Sequence, residues 1–356
     1  MSLLGESRPI PPQPLQRRIN LNVLFGVPDD AAGVVRVKPG GKVIAGLADS
    51  EQRHFKLRGS ANIAPYLSRE RFALNRVYLQ GGQPQISLGP GAILNHIADP
   101  DICSRALAMV EKLTTQVRRS CFNHPTAVAR TSRDGAARLL SGINRLTVPK
   151  TIRVEQTSPD AVRKAARRAE LRYPILVRVV GSHGGEDRVK VDAPEFMDEI
   201  VQLGPEDCPL FLTEFYDFVS PDGYYRKYRI VIVGDDIFLR QCVVGSHWSL
   251  HGRHRIEGAD KEEAALFDSF QCEWVPSLKP IFAEMTRRLD LDYFGVDCHI
   301  DPDKNVLLFE ANACMKVLKN YRALPNRFEA PIAKIKRALE DRLASPETWR
   351  YARAGG

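Results

Sequence analysis

Apolar residues in this chain fall into short runs separated by turns rich in glycine, proline and aspartate, and in places they recur at helical spacing. The run from Ile19 to Val27 ends at Pro28-Asp29-Asp30, which suits a buried strand followed by a turn. Arg76 to Leu79 and Cys121 to Pro125 carry further apolar and aromatic stretches. Between them, Ile102, Ala106, Met109, Val110, Leu113 and Val117 predict an amphipathic helix over Asp101–Arg119, with Asp101 in position to cap it. Strands alternating with a helix over the first third imply a parallel sheet, hence an α/β unit.

The pattern then changes. An Ala- and Arg-rich helix is expected over Ala161–Leu171, ending before Tyr173-Pro174, because a residue that precedes proline avoids helical geometry. Ile175 to Val180 reads as a strand interrupted only by Arg178; the loop Gly181-Ser182-His183-Gly184-Gly185 and an alternating strand Arg188–Val191 follow. A helix opened by Pro194 and reaching Leu203, a strand Leu210–Phe215 and a strand Tyr228–Val233 closing on Gly234-Asp235-Asp236 complete an α+β unit. Val296–Ile300 and Val306–Phe309 flank a polar four-residue turn, Pro302-Asp303-Lys304-Asn305, and predict a hairpin. A basic amphipathic helix from Ala330 to about Ala344 closes the pattern.

At 356 residues the chain exceeds what one compact core holds, so two or three lobes with a cleft between them are expected. Apolar residues at 44% and charged residues at 26% exclude disorder and fibrous repeats, and no internal repeat is present. Met1 to Arg18 has four prolines and no apolar run, so it reads as a flexible arm and neither a secretory signal nor a membrane span. Seven cysteines without a C-x-x-C pair fit neither a disulfide framework nor a zinc ribbon, which points to the cytoplasm. The net charge of +8 attracts anions without choosing among them.

The hairpin is the most informative chemical feature. A four-residue turn places Asp297 opposite Glu310, with Asn312 on the face of Glu310 by the period of two. Two carboxylates facing across a ladder repel unless a cation lies between them, and hard oxygen donors suit Mg2+ on nucleotide phosphates. In the glycine loop, Ser182, His183, Gly184 and Gly185 would offer donors to phosphate oxygens, with Arg178 reaching the same anion from its apolar strand. Leu212 to Asp217 reads as a hinge strand in which Glu214 and Phe215 meet adenine, and Asp217 or Asp222 a ribose hydroxyl. Cys298, Cys314, His299 and His251 show no spacing that supports a Cys/His nucleophile over packed core residues.

Tyr173-Pro174-Ile-Leu-Val-Arg178 with its glycine loop, Thr213-Glu214-Phe215, Lys227-Tyr228-Arg229, and Asp297 followed by Glu310-Ala311-Asn312 resemble the ordered motifs of the ATP-grasp superfamily, over about Pro149 to Val317. The similarity is greatest to RimK-like ligases, particularly the ATP-grasp domains often joined to tetratricopeptide repeats. Cys121-Phe-Asn-His-Pro125 and Thr131-Ser-Arg-Asp134 extend it upstream, and no such repeats occur here. The resemblance implies a flexible arm (1–18), a pre-ATP-grasp α/β domain (19–148), a small lobe (149–212), a large lobe (213–345) and a tail (346–356).

It further implies a carboxylate–amine ligase that uses ATP and two Mg2+ ions. The substrate carboxylate would attack the γ-phosphate, and an amine would then attack the acyl phosphate. Asp297, Glu310 and Asn312 would hold the metal, Arg133 and Arg178 would take positions usually lysine or another cation, and Lys227, Arg229 and Arg240 would meet the transferring charge. Gly245-Ser-His-Trp248-Ser-Leu-His251 departs from the Asn-x-x-Gly-Gly segment of the ribosomal-protein glutamate ligases, so a different substrate is expected, with Trp248 and His251 lining the acceptor pocket. Expected partners are small-molecule or peptide carboxylates and amines, with no membrane and no nucleic acid, and a homodimer is left open. A small-molecule kinase would use the same nucleotide site, and a basic RNA- or acidic-peptide-binding protein would use Arg163-Lys164, Arg167-Arg168 and His251 to Arg255.

Overall fold

The computed structural model describes residues 18–29, 58–79, 86–182, 188–203, 208–250 and 255–353. The arm expected over 1–18 therefore lies outside the described residues, apart from Arg18. The first lobe is built on β1 (Ile19–Gly26), β2 (Phe72–Leu79), β3 (Ala92–Asn95) and β4 (Cys121–Phe122), all parallel in the order β2-β1-β3-β4. The predicted amphipathic helix is α1 (Ser104–Val117), which buries Ala106, Leu107, Val110 and Leu113 against that sheet. Asp101 does not cap it. Its carboxylate pairs with Arg153, and the first turn is instead satisfied from the β1 turn, where Asp29 Oδ2 accepts from Ser104 Oγ at 2.6 Å and from Arg105 N at 3.2 Å.

Past α2 (Pro125–Val128) and α3 (Arg133–Leu140), β5 (Leu146–Thr147) leaves this lobe to pair with the last strand of the chain. A small antiparallel sheet follows, built from β6 (Thr151–Val154), β7 (Ile175–Val179), β8 (Arg188–Val191) and β9 (Leu210–Glu214) in the order β6-β9-β7-β8. It is backed by α4 (Pro159–Arg168), which Ser158 caps, and has its own core around Val162, Ile175, Val177, Met197 and Leu212. The helix expected over Pro194–Leu203 is present with those bounds, as a 3-10 helix.

β10 (Tyr225–Val233) and β11 (Asp236–Gly245) open the large sheet, and β12 (Tyr293–Ile300) and β13 (Val306–Asn312) complete it in the order β11-β10-β12-β13-β5. Between these hairpins run α5 (Ala259–Ser269), a π-helical turn (Phe270–Trp274) and α6 (Val275–Leu289), elements the sequence pattern does not announce. Pro276 and Pro280 sit within α6, where prolines read as breakers, and α5 is only weakly amphipathic. The basic closing helix is α7 (Glu329–Leu343). No helix among the described residues is long and apolar enough to cross a membrane.

A continuous core joins the first sheet to the large sheet. Asn123, in the upstream Cys121–Pro125 motif, links the two directly. Its buried amide donates to Tyr293 O at 2.8 Å and accepts from Tyr293 N at 2.9 Å, which ties β4 to the start of β12. Its φ of +53° is a conformation that asparagine tolerates better than most residues. The chain end also packs on this lobe, since Cys121 N donates to Tyr351 O and Trp349 meets Phe122 edge-on. We predict that Asn123→Ala lowers stability by about 2–4 kcal/mol, because two buried backbone groups of Tyr293 lose their partners. Chemical denaturation measures this, and a change below about 0.5 kcal/mol, less than one typical net hydrogen bond, would contradict the clamp.

Candidate active site

Asp297 does face Glu310 across β12–β13, although the turn is not the expected one. Asp301 N donates to Asn305 O at 3.0 Å and the Asp301 carboxylate accepts from Asn305 N and Nδ2, so the loop is the three residues Pro302-Asp303-Lys304, with Lys304 at φ +63°. Near the turn Cys298 pairs with Leu308; a bulge then leaves Phe309 as the extra residue and brings Asp297 into register with Glu310. The shorter loop and the bulge offset one another. Because of the bulge Leu308, Phe309 and Glu310 all line the same cavity.

All four carboxylate oxygens of this pair have donors. Arg229 on β10 donates from Nε and Nη2 to the two oxygens of Asp297, both at 2.7 Å. Arg133, at the start of α3, reaches Glu310 Oε2 at 2.9 Å, and Asn312 Nδ2 donates to Glu310 Oε1 at 2.6 Å. Asn312 Oδ1 in turn accepts from Cys314 N at 3.0 Å. Burial opposes charge on Asp297, yet Arg229, assisted by Lys227 and Arg133, holds its carboxyl below the usual range. Burial pushes the Lys227 ammonium down, and its Nζ donates to Leu250 O at 2.8 Å.

A second bulge lies on the neighbouring ladder. Arg229 pairs with Gln241 and Ile230 with Leu239, so Arg240 is the extra residue and it joins Gln241 on the cavity side. Arg240 is buried, and its guanidinium donates to Val317 O at 2.6 Å and Lys319 O at 3.0 Å. Burial and the nearby charge of Arg229 lower it to about 10.

These groups line one cavity of about 690 Å³ between the small and large sheets. The small sheet contributes Arg178 and Arg188, directly opposite one another on β7 and β8, and the large-sheet side contributes Arg133, Lys227, Arg229, Arg240, Arg255 and Arg322. Only Glu214, Asp297 and Glu310 are acidic among the lining residues. Glu214 is buried beside the hinge, where it accepts from Arg172 N and Nη2, each at 3.0 Å, and from Tyr216. Phe215 N donates to Pro174 O at 2.8 Å, and the Phe215 ring meets Trp248 edge-on at 5.3 Å. Trp248 also carries Arg188 over its face at 5.1 Å, so it adjoins the hinge as well as the cavity.

Of the residues singled out in the sequence, Arg133, Arg178, Glu214, Phe215, Lys227, Arg229, Arg240, Trp248, Asp297 and Glu310 line this cavity. Ser182 and Asn312 meet at a smaller adjoining pocket with Arg133 and Glu310, and Gly181 turns the chain there at φ +74°. Ser182 Oγ donates to Val179 O at 2.7 Å. Asp217 caps Phe218 N at 2.9 Å, while Asp222 is tied to Arg226 at 2.6 Å, which with the Tyr224 amide lowers it to about 2. His183, Gly184, Gly185 and His251 lie outside the described residues. Arg163 is paired with Asp160 and Asp198, and Arg255 with Glu263, so both basic clusters are partly neutralised. Arg172, Arg188, Arg322 and Phe328 are site residues that sequence reasoning missed; only Arg188, at the start of a strand next to the glycine loop, carried any signal.

Two carboxylates and an amide oxygen on one hairpin are hard donors that suit Mg2+, and the guanidinium groups now on them are cations of the kind a metal with phosphates would displace. Asn312 Oδ1 accepts from Cys314 N at 3.0 Å and from Cys314 Sγ at 3.1 Å, and the weak thiol donor is the one a metal would displace. The donor set therefore fits the metal expected from the sequence.

No protein-family model and no curated protein matches the sequence. Solved structures do. The chain is similar over 93% of its length to the D-Ala:D-Ser ligase VanG of Enterococcus faecalis, covering 99% of that chain with 11% identity and a TM-score of 0.53. It is likewise similar to the D-alanine-D-alanine ligase of Coxiella burnetii, with 93% and 97% of the two chains covered, 11% identity and a TM-score of 0.52. A RimK domain ATP-grasp protein of Sphaerobacter thermophilus aligns at a TM-score of 0.46 and 13% identity, over 91% of this chain and 98% of that one. The fold is ATP-grasp, as the order of motifs predicts.

Removing Arg229 strands a buried carboxylate, so Arg229→Ala is expected to cost about 3–5 kcal/mol and Asp297→Asn in that background to restore part of it. The folded-state carboxyl titrates below its unfolded value. The contribution of the pair is therefore complete above the unfolded value and disappears as pH falls through the folded one. Denaturation midpoints that are equal for wild type and Arg229→Ala at neutral pH would contradict this.

Proposed function

We propose that the chain is an ATP-dependent carboxylate–amine ligase, RimK-like in its motifs, that forms an amide through an acyl phosphate. The observation that carries this reading is the cavity itself: eight Lys and Arg side chains against three carboxylates, two of which oppose one another across a hairpin. So unbalanced a set, gathered between two sheets, calls for a polyanion, and a triphosphate satisfies it.

Arg178 and Arg188 on the small sheet would meet the phosphates from one side, and Arg133, Lys227 and Arg229 from the other. Arg133 and Arg229 would exchange their carboxylate partners for phosphate oxygens, while Mg2+ on Asp297, Glu310 and Asn312 would neutralise charge on the transferring group. A substrate carboxylate oxygen forms a bond to the γ-phosphorus as the bond to the bridging oxygen breaks, and ADP leaves. An amine then bonds to the acyl carbon, phosphate departs, and the amine nitrogen gives up its proton. Positioning and charge neutralisation account for these steps without a protein nucleophile. Trp248, against Phe215 and Arg188, supports the wall near the hinge, and the acceptor role expected of it extends to His251.

The test is a mass-spectrometric screen of the full chain with Mg-ATP and pooled amino acids and peptides. ADP, free phosphate and a new amide are expected, and both Asp297→Asn and Glu310→Gln should abolish them while the protein stays folded. Phosphate attached to the acceptor would make the chain a kinase, and turnover near wild type in both variants would overturn the site. A calorimetric companion measures the phosphate contact: Arg178→Ala should weaken nucleotide binding by one to two orders of magnitude, or about 1.5–3 kcal/mol, with part restored in Arg178→Lys. Unchanged affinity would show that Arg178 faces elsewhere.

A further inference from the structure

The nucleotide accounts for the cations on β7, β8 and β10, but not for those at the β11 end of the cavity. Three guanidinium groups surround the Phe328 ring there, with the carbons of Arg240, Arg322 and Arg327 at 5.2, 5.7 and 4.7 Å from its centroid. Arg327 is neutralised by Glu263 and Asp260, and neighbouring Arg255 by Glu263. Arg240 and Arg322 have no carboxylate partner among the described residues, and both line the cavity. Arg240 is only 5% exposed and spends two of its N–H groups on the carbonyls of Val317 and Lys319, which compensates its hydrogen bonding without cancelling its charge.

The segment that carries Arg322 is held in place. Arg240 fastens its start; Asn320 accepts from Arg322 N at 3.2 Å and donates to Asn326 at 3.2 Å; Asn326 accepts from Phe328 N at 2.9 Å. Arg322 itself is exposed at the cavity wall, next to Tyr321. Two cations that form no ion pair among the described residues, converging on one ring of a cavity large enough for more than a nucleotide's phosphates, make a planar anion site. Arg240 is the bulged residue next to Gln241, which pairs with Arg229, and Arg229 in turn holds the Asp297 carboxylate, so an anion held here lies near that carboxylate.

Resting on the ligase reading, we infer that Arg240 and Arg322 bind a substrate carboxylate that does not react. One of the two substrates then carries an anionic group besides its reacting centre. It is either a dicarboxylic acid on the donor side or an amino acid or peptide with a free carboxyl terminus on the acceptor side.

The experiment is calorimetric titration of the full chain, saturated with Mg2+ and a non-hydrolysable ATP analogue, using glutarate and its monoamide, and alanylalanine and its C-terminal amide. Wild type should bind the charged member of at least one pair tenfold or more tightly than its amide, and that pair identifies donor or acceptor. Arg322→Ala should reduce the preference to below twofold with analogue affinity unchanged, and Arg322→Lys should recover part of it. Absence of a charge preference in wild type, or its survival in both Arg322→Ala and Arg240→Gln, would overturn the inference. A fall in analogue affinity in Arg322→Ala would also overturn it, by assigning the residue to the nucleotide. Failure of wild type to bind the analogue at all would instead defeat the ligase reading.

Discussion

Two carboxylates placed opposite one another on a hairpin, one of them on a fully buried strand, constrain much of this molecule. Asp297 is part of β12, whose residues are buried from end to end, and Glu310 faces it directly. Such a pair is stable only with cations on it. The chain brings Arg229 from the adjacent strand to one carboxylate and Arg133 from the first lobe to the other. Electrostatics thus links lobes that packing also joins, and the Asn123 clamp on Tyr293 fixes the same strand a few residues before Asp297.

The site owes its shape to irregularities in otherwise regular ladders. A regular strand sends alternate residues to opposite faces. The bulge at Phe309 and the bulge at Arg240 break that alternation on both sides of the Arg229–Asp297 pair, so consecutive residues reach the cavity. Their effect is to concentrate guanidinium groups and aromatic walls in a space that the alternation of a flat sheet would have halved. The β11 end of that space differs from the rest, because Arg240 there is held by backbone carbonyls and lies with Arg322 against an aromatic ring, whereas Arg229 and Arg133 at the hairpin are held by carboxylates.

The parts of the fold visible in the sequence were those with strong local signals. β1, α1, α4, β7 to β10 and the β12–β13 hairpin follow from apolar periodicity and glycine or proline punctuation, and the Asp297–Glu310 pair from hairpin geometry. The facing of Asp297 and Glu310 has a different origin from a four-residue turn: Asp301 and Asn305 close a shorter loop, and the bulge restores the register. Bulges leave no residue signature here. α5 carries little signal because its apolar stripe is weak, and α6 because Pro280 reads as a breaker inside it. Arg172, which occupies Glu214, and Arg322, which reaches the cavity from a loop after β13, are brought in by tertiary contact alone.

The proposed function requires that the excess of cations in the cavity bind nucleotide phosphates and that the opposed carboxylates bind a divalent cation. Calorimetric titration of ATP into the full chain, with and without Mg2+, measures both at once. One ATP per chain, bound at least tenfold more tightly when Mg2+ is present, is the predicted result. An absence of ATP binding, or an affinity indifferent to Mg2+, would contradict it.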